Sequence, residues 1–369
     1  MYVLKAKILL KNFYLQFINN VEINKSIETL SDTAILKIPR RIFVKNKAGE
    51  KVRIETELKA GDPVIIGLGY ENNYFGVEFR GYITKILTKN GLEIECEDYI
   101  WKLRQKTINK TFEKTTLKEI LQYIINFEPE NKEEINPEEK TIDFKIKLSE
   151  KIPEITFDKY VIINKNGAQA LQQLKEDTLL SAYIDDENNL YFGLIEGVNI
   201  GKKSIYDLNY NIISNDLERI DNTSKKILIK NTYIDPKTNK KNTVEVGEKG
   251  GEIRELTTSI ISDEKILKKL AENTYKNFKG VGYSGTITTF LIPFATRGMT
   301  AEIIDTELKT DRMQYLIKSV KTTFGINGAR RIVELGNELI KDLSKQEEKL
   351  TEDFNIIKNY LKNAKNERI

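Results

Sequence analysis

Through the first hundred residues, apolar positions recur at short intervals among polar ones. Val3, Ile8, Leu10, Phe13 and Leu15 sit among polar neighbours with the short period of β-strands. Thr33-Ala34-Ile35-Leu36-Lys37-Ile38-Pro39 reads as a further strand, stopped by proline. Gly61-Asp62-Pro63 predicts a turn before the apolar run Val64 to Tyr70, and Glu71-Asn72-Asn73 predicts a hairpin tip. Phe79 to Leu87 follows, then the two-residue hairpin signal Asn90-Gly91, then the alternating Leu92-Glu93-Ile94-Glu95-Cys96. Many short strands with regular turns predict a closed barrel or a sandwich.

The period changes after Trp101. Leu117, Ile120, Leu121, Ile124 and Ile125 share one helical face. Residues 128–140, acidic and proline-punctuated, read as an exposed loop. A second helix is predicted over 166–177 with Ala168, Leu171 and Leu174 inward, and a hairpin around Asp185-Asp186-Glu187-Asn188-Asn189. Strands are predicted at 226–233 and 242–258, and a helix at 263–279 with Ile266, Leu267, Leu270 and Tyr275. A second strand-rich block covers 283–335. The charged tail, 337–366, reads as a helix with Leu350, Phe354, Ile357 and Leu361 in one stripe.

Composition narrows the function classes. The 369 residues suit two or three domains. No run of ~18 apolar residues predicts a membrane span. The start, Met1-Tyr2-Val3-Leu4-Lys5, lacks the basic-then-apolar order of a signal peptide, so synthesis and residence in the cytoplasm are expected, with assembly into an exported particle left open. The only cysteine is Cys96, and histidine is absent. Disulfides within the chain, cysteine-rich zinc sites and the histidine-dependent nucleophile systems are thereby excluded. Carboxylate chemistry is not. The net charge of +4, from 59 basic and 55 acidic residues, is small for a dedicated nucleic-acid binder.

Individual motifs reduce to ordinary structure. Gly280-Val281-Gly282-Tyr283-Ser284-Gly285 has G-x-G-x-x-G spacing, but it follows a predicted helix and precedes a strand. A dinucleotide site needs the reverse order, so a helix end plus turn is expected. Gly247-Glu248-Lys249-Gly250-Gly251 lacks the ending of a phosphate-binding loop and reads as a turn. Glu93 and Glu95, with Glu97 and Asp98 beyond, could pair as glycosidase carboxylates, but strand-face carboxylates are usually just solvated. Asp185 to Asn189 lacks the spacing of a calcium loop. Lys102, Arg104 and Lys106 alternate and could line a channel or touch phosphates; a solvated strand or loop edge is the simpler reading, as for Lys225, Lys226 and Lys230. Trp101 is expected as a core anchor and Cys96 as a buried strand residue. No residue is nominated as catalytic, cofactor-binding or metal-ligating.

The two strand blocks resemble each other. Gly61-Asp62-Pro63, Phe79 to Ile86, Asn90-Gly91 and Glu93 to Cys96 match in order Arg297-Gly298-Met299, Met313 to Val320, Asn327-Gly328 and Arg331 to Leu335. Taken with the Gly-Asp turn, the aromatic-x-Gly-x-Ile strand Phe79-Arg80-Gly81-Tyr82-Ile83, and Glu95-Cys96-Glu97-Asp98 before a helical segment, the chain resembles the phage late-control and baseplate hub family over residues 3–336. It departs at Arg297-Gly298-Met299, which lacks the family's aspartate, and in the charged helix after 336. The resemblance implies a mainly β fold: two antiparallel β-barrel domains of tail-hub type (1–107 and 206–336), a small α/β middle domain (108–205) and a C-terminal helix (337–369). It implies a non-enzymatic homotrimer that adapts a six-fold tail tube to a three-fold central spike. Its partners would be the tube, spike and other baseplate proteins, with transient contact to DNA or a tape-measure protein in the lumen and none to a membrane. It would be made in a bacterial host's cytoplasm and built into a virion tail or tail-like particle. The stripe of the terminal helix would pack on its own barrel or on a partner. The competing readings are a carboxylate-dependent cell-wall hydrolase and a barrel that binds nucleic acid without sequence preference.

Overall fold

The computed structural model describes residues 2–45, 49–88, 91–105, 107–126, 145–195, 201–235, 237–279, 281–305 and 313–338. The predicted loop at 128–140, Lys106, Asn90 and the stripe Leu350, Phe354, Ile357 and Leu361 lie outside them.

The first strand block forms as its alternation dictates. Asn20–Ser26, Thr33–Ile38, Leu92–Glu97, Phe75–Leu87, Pro63–Tyr70, Leu4–Leu10 and Phe13–Leu15 are neighbours in that order, all antiparallel. Leu92, Ile94 and Cys96 point inward and join Ile8, Leu10, Val21, Ile23, Leu36, Val64 and Ile66 in one core. Gly81 is required here: a Cβ at that position would lie 2.2 Å from the Glu97 carbonyl oxygen and 2.8 Å from the Phe79 ring.

The second block repeats this order. Ser214–Asp221, Val281–Thr289, Gly328–Glu338, Met313–Gly325, Thr300–Ile304 and Lys203–Asp207 are successive neighbours. The likeness extends to single hydrogen bonds. Gly61 N donates to Ile83 O (2.8 Å) and Ile83 N to Asp62 O (2.9 Å); Gly298 N donates to Ile317 O (2.9 Å) and Ile317 N to Met299 O (2.8 Å). Both glycines have positive φ, +92° and +81°, so the turn itself demands glycine. One residue later each strand slips register against its neighbour, at Ile83/Lys85 and at Ile317/Ser319. Within the two blocks one pairing departs from the all-antiparallel expectation: Lys203–Asp207 runs parallel to Thr300–Ile304. The long intervening chain, unlike a hairpin, leaves that direction free.

The blocks are hydrogen-bonded into one sheet, because Ser319–Gly325 pairs antiparallel with Asn20–Ser26. Thr107–Thr116 and Thr156–Asn166 form a two-stranded ribbon beneath the helices Leu117–Asn126 and Gly167–Thr178. All five predicted apolar residues of the first helix are buried. The second starts at a capping box: Asn166 Oδ1 accepts from Gln169 N (2.8 Å) and Gln169 Oε1 from Asn166 N (3.0 Å). Ser181–Ile184 and Asn189–Gly193 form the predicted hairpin.

An excursion separates Ser214–Asp221 from its partner Val281–Thr289. It holds a sheet of Ile227–Ile234, Lys241–Gly247 and Glu252–Thr258, and the helix Glu264–Lys279. The strand-bearing stretch expected at 242–258 is two strands, separated at the turn expected from Gly247 to Gly251. Leu267 and Leu270 join the core of the middle helices, whereas Ala271 packs on Ile227 and Ile229. Gly328–Glu338 carries strand pairing through 337–338, where the helical tail was expected to begin.

Two substitutions probe this frame. Gly81→Ala should cost about 2 kcal/mol or more, since backbone must shift to admit the methyl group. Asn166→Ala should cost about 1 kcal/mol through the lost cap. Urea unfolding of the full chain measures both.

Candidate functional site

The described residues concentrate their buried charge where the two strand blocks and the 181–193 hairpin meet. After Val281–Thr289 the chain crosses toward the first block, and Arg297 ends there with a side chain 1% exposed. Its Nη2 lies 2.7 Å from Asp32 Oδ2 and its Nη1 3.0 Å from Asp186 Oδ1. Nη2 also donates to the Ile184 carbonyl, and the guanidinium sits 5.3 Å from the Tyr183 ring centre. Lys25 Nζ reaches the same Asp186 oxygen at 2.6 Å, and Arg80 donates to the Asp186 carbonyl at 3.1 Å. Asp98 closes the group: its carboxylate accepts from Asp32 N (2.7 Å) and Ile100 N (2.9 Å). One arginine thus ties together strands of both blocks and the middle hairpin.

These charges perturb one another. Burial pushes the Asp32 carboxyl up to about 6, against the pull of Arg297 and Lys25. Burial, then the charge of Asp32, raises Asp98 well above the carboxylate range. For Asp186 burial acts in the same sense, but Lys25 and Arg297 overcome it and hold the group far below its ordinary value.

A second buried pair lies nearby. Arg331, 0% exposed, meets Glu78 at 2.6 Å. It also donates to the carbonyls of Leu291 (2.8 Å) and Pro293 (3.3 Å) and lies 4.9 Å from the Phe294 ring centre. Tyr74 donates to Glu78 at 2.7 Å, and the Tyr70 hydroxyl accepts from Leu291 N at 3.1 Å. The Phe290–Met299 crossing is therefore fastened to the first block at both ends.

This arrangement holds both strand blocks and the middle hairpin together through buried ion pairs. The cavity beside Lys25, Asp32, Glu78, Arg80, Asp98 and Asp186 measures about 20 Å³, room for one water. Among the described residues no group of His, Cys, Asp and Glu is arranged to hold a metal, and no helix is long and apolar enough to cross a membrane.

The residues weighed from the sequence fall elsewhere or into this joint. Glu93 pairs with Lys37 at 3.3 Å. Glu97 is not a solvated carboxylate: it is buried against Arg104 (2.7 Å) and Ser31 (2.7 Å). Lys102 and Arg104 stand on the short helix Ile100–Arg104, not on a strand edge, and Lys102 lies over the Tyr82 ring at 4.9 Å. Trp101 is half-buried and stacks on Tyr82 at 5.7 Å. Cys96 is buried, and burial pushes its thiol well above the ordinary range. Gly282 and Gly285 lie inside the strand Val281–Thr289, not in a turn after the helix. Asp185 caps the predicted hairpin, accepting from Glu187 N and Asn189 N at 2.8 Å each. Lys230 pairs with Glu245 at 3.0 Å, and Lys225 and Lys226 are exposed. Sequence reading missed Arg297 as a functional residue and noted it only as a departure from the family turn. A lone charge in the stretch Leu291 to Ala301 was the available signal.

No protein-family model matches the chain, and no curated protein matches it by sequence. Solved structures do match in fold. A 43 kDa tail protein of prophage MuSo2 from Shewanella oneidensis superposes with a TM-score of 0.60 at 14% identity, over 90% of this chain and 98% of that one. A tail protein from Neisseria meningitidis gives 0.60 at 12% identity, over 91% and 97%. The chain has a tail-hub fold. A type VI secretion component of Escherichia coli, described as similar to bacteriophage T4 tail proteins gp27 and gp5, gives 0.54 at 10% identity, over 91% and 77%. The mainly β architecture with its few helices agrees with the tail-hub fold class expected from the sequence.

Breaking the joint should be severe. Arg297→Met leaves Asp32 and Asp186 facing each other without their shared cation and should cost about 3–5 kcal/mol in urea unfolding. The raised Asp32 carboxyl stabilises the fold below its ordinary range of 3.8 and loses that contribution as pH rises through about 6. Against the Asp32→Asn variant, the parent should therefore lose up to about 3 kcal/mol of stability between pH 4 and pH 7. Asp186 acts oppositely, and its contribution should vanish only as pH falls below 3.8.

Proposed function

We propose that this chain is a non-enzymatic structural hub of a phage tail or phage-tail-like particle, working as a homotrimer between a six-fold tail tube and a three-fold central spike. The observation that carries this reading is the repeat of two strand blocks, matched down to the turn hydrogen bonds and the register slip, within a fold shared with phage tail proteins. A ring of three such chains offers six similar blocks to a six-fold partner while remaining three-fold itself. The corresponding division is 1–107 and 206–336 for the barrels, 108–205 for the middle domain and 337–369 for a terminal segment that meets its own barrel or a partner.

The partners follow from that role: tube and spike proteins, neighbouring baseplate proteins, and DNA or a tape-measure protein passing through the lumen. The chain is made in the bacterial cytoplasm and then built into the particle. Absence of histidine, and carboxylates engaged in ion pairs, support a purely structural part.

Native mass spectrometry of the full chain at micromolar concentration should give a trimer, and a density map of the particle tip should show three copies between six-fold and three-fold elements. A chain that stays monomeric with its own particle's proteins overturns the ring. Peptidoglycan zymography should show no clearing; clearing abolished by Glu93→Gln or Glu95→Gln would replace the hub with a hydrolase.

A further inference from the structure

The internal repeat also specifies how one copy meets the next. In the second block, the strand Met313–Gly325 has two neighbours on the same side. Its first part pairs with Thr300–Ile304, and beyond Leu316 it leaves that strand; Ser319–Gly325 then receives Asn20–Ser26 of the first block. The counterpart strand, Phe75–Leu87, behaves alike as far as it can. It pairs with Pro63–Tyr70 up to Tyr82 and then leaves it. Beyond Ile83, which bonds Gly61 and Asp62, no strand is hydrogen-bonded on that side among the described residues. The place filled in one block by Asn20–Ser26 is open in the other.

The strand that would fill it also has an unpaired edge among the described residues. Ser214–Asp221 holds the position in the second block that Asn20–Ser26 holds in the first, at the end of the sheet path, bonded on one side only. Registers fix the correspondence. Glu95 faces Ile35, which faces Glu22; the equivalent Glu334 faces Thr286, which faces Asp216. Asp216 therefore stands for Glu22, Leu217 for Ile23 and Arg219 for Lys25, keeping acid, aliphatic and base in place. Burial records the vacancy: Ile23 and Val320 are buried within the joint, while their counterparts Leu217 and Ile86 are half-exposed.

We infer that Ser214–Asp221 of one copy adds antiparallel to the edge following Ile83 in the next copy, reproducing between chains the joint already present within each chain. This rests on the ring proposed above. Transferring the internal register sets Lys85 opposite Ile220, Ile86 opposite Arg219, Leu87 opposite Glu218 and Thr88 opposite Leu217. Lys85 then stands diagonal to Glu218, as Lys321 stands to Glu22, which it meets at 2.8 Å. Each copy gives one edge and accepts one, the heterologous contact that closes a ring.

Leu87→Cys combined with Glu218→Cys in the full chain tests the register, because Cys96 is buried and does not interfere. Oxidation should link chains into dimers and trimers. Leu87→Cys with Arg219→Cys, whose side chains fall on opposite sheet faces, should link roughly tenfold less. Lys85→Glu should raise the concentration for half-maximal trimer roughly tenfold, and adding Glu218→Lys should restore it. A trimer by native mass spectrometry without the in-register link, or with a Lys85→Glu defect that Glu218→Lys fails to rescue, overturns this joint and leaves the hub standing. A chain monomeric throughout overturns both.

Discussion

Seven residue pairs between Ser319–Gly325 and Asn20–Ser26 make two strand blocks into one sheet. The remaining architecture is arranged around that contact. It brings the hairpin Ser181–Ile184/Asn189–Gly193 and the Phe290–Met299 crossing against the first block, so the buried charges meet only once the strands are in register. A one-residue slip would turn Ile23 and Phe324 from core to solvent. The apolar pattern therefore fixes the alignment, and the charges read it out.

The ion pairs add specificity more than bulk stability. A buried salt bridge contributes little over well-packed apolar groups, because desolvation offsets most of the attraction. What Arg297 and Arg331 add is a penalty for wrong assembly: each strands an uncompensated charge unless its acidic partners in the first block arrive. Arg297 holds one end of the crossing and Arg331, from the strand Gly328–Glu338, holds the other through the Leu291 and Pro293 carbonyls, so its path over the first block is fixed in both position and direction.

Much of the fold was legible because short-range periodicity governs it. The helices around Leu117, Ala168 and Leu267, the 181–193 hairpin and the strands of both blocks follow from apolar spacing and turn residues. The equivalence of Gly61 and Gly298 was visible as sequence order, and the positive φ at both supplies its physical reason. Pairings between distant strands were not legible. No local pattern announces that Thr322 faces Ile23, or that Lys203–Asp207 runs parallel to Thr300–Ile304. The charge cluster was hidden for the same reason. Asp32, Asp186 and Arg297 come from three segments, and each alone looks like a turn residue. Glu97 and Arg104 misled in the opposite direction, because a one-turn helix brings them together where strand alternation would keep them apart.

The strand connection has a consequence for synthesis. Asn20–Ser26 leaves the ribosome long before its in-chain partner, Ser319–Gly325. Throughout translation the first block must carry an unsatisfied backbone edge, the kind of surface that recruits unrelated strands. Glu22, Asn24 and the buried Lys25 place polar groups along that edge while it waits. A nascent chain of this design is thus exposed to misassociation until Ser319–Gly325 emerges, and slow translation before that strand would prolong the hazard.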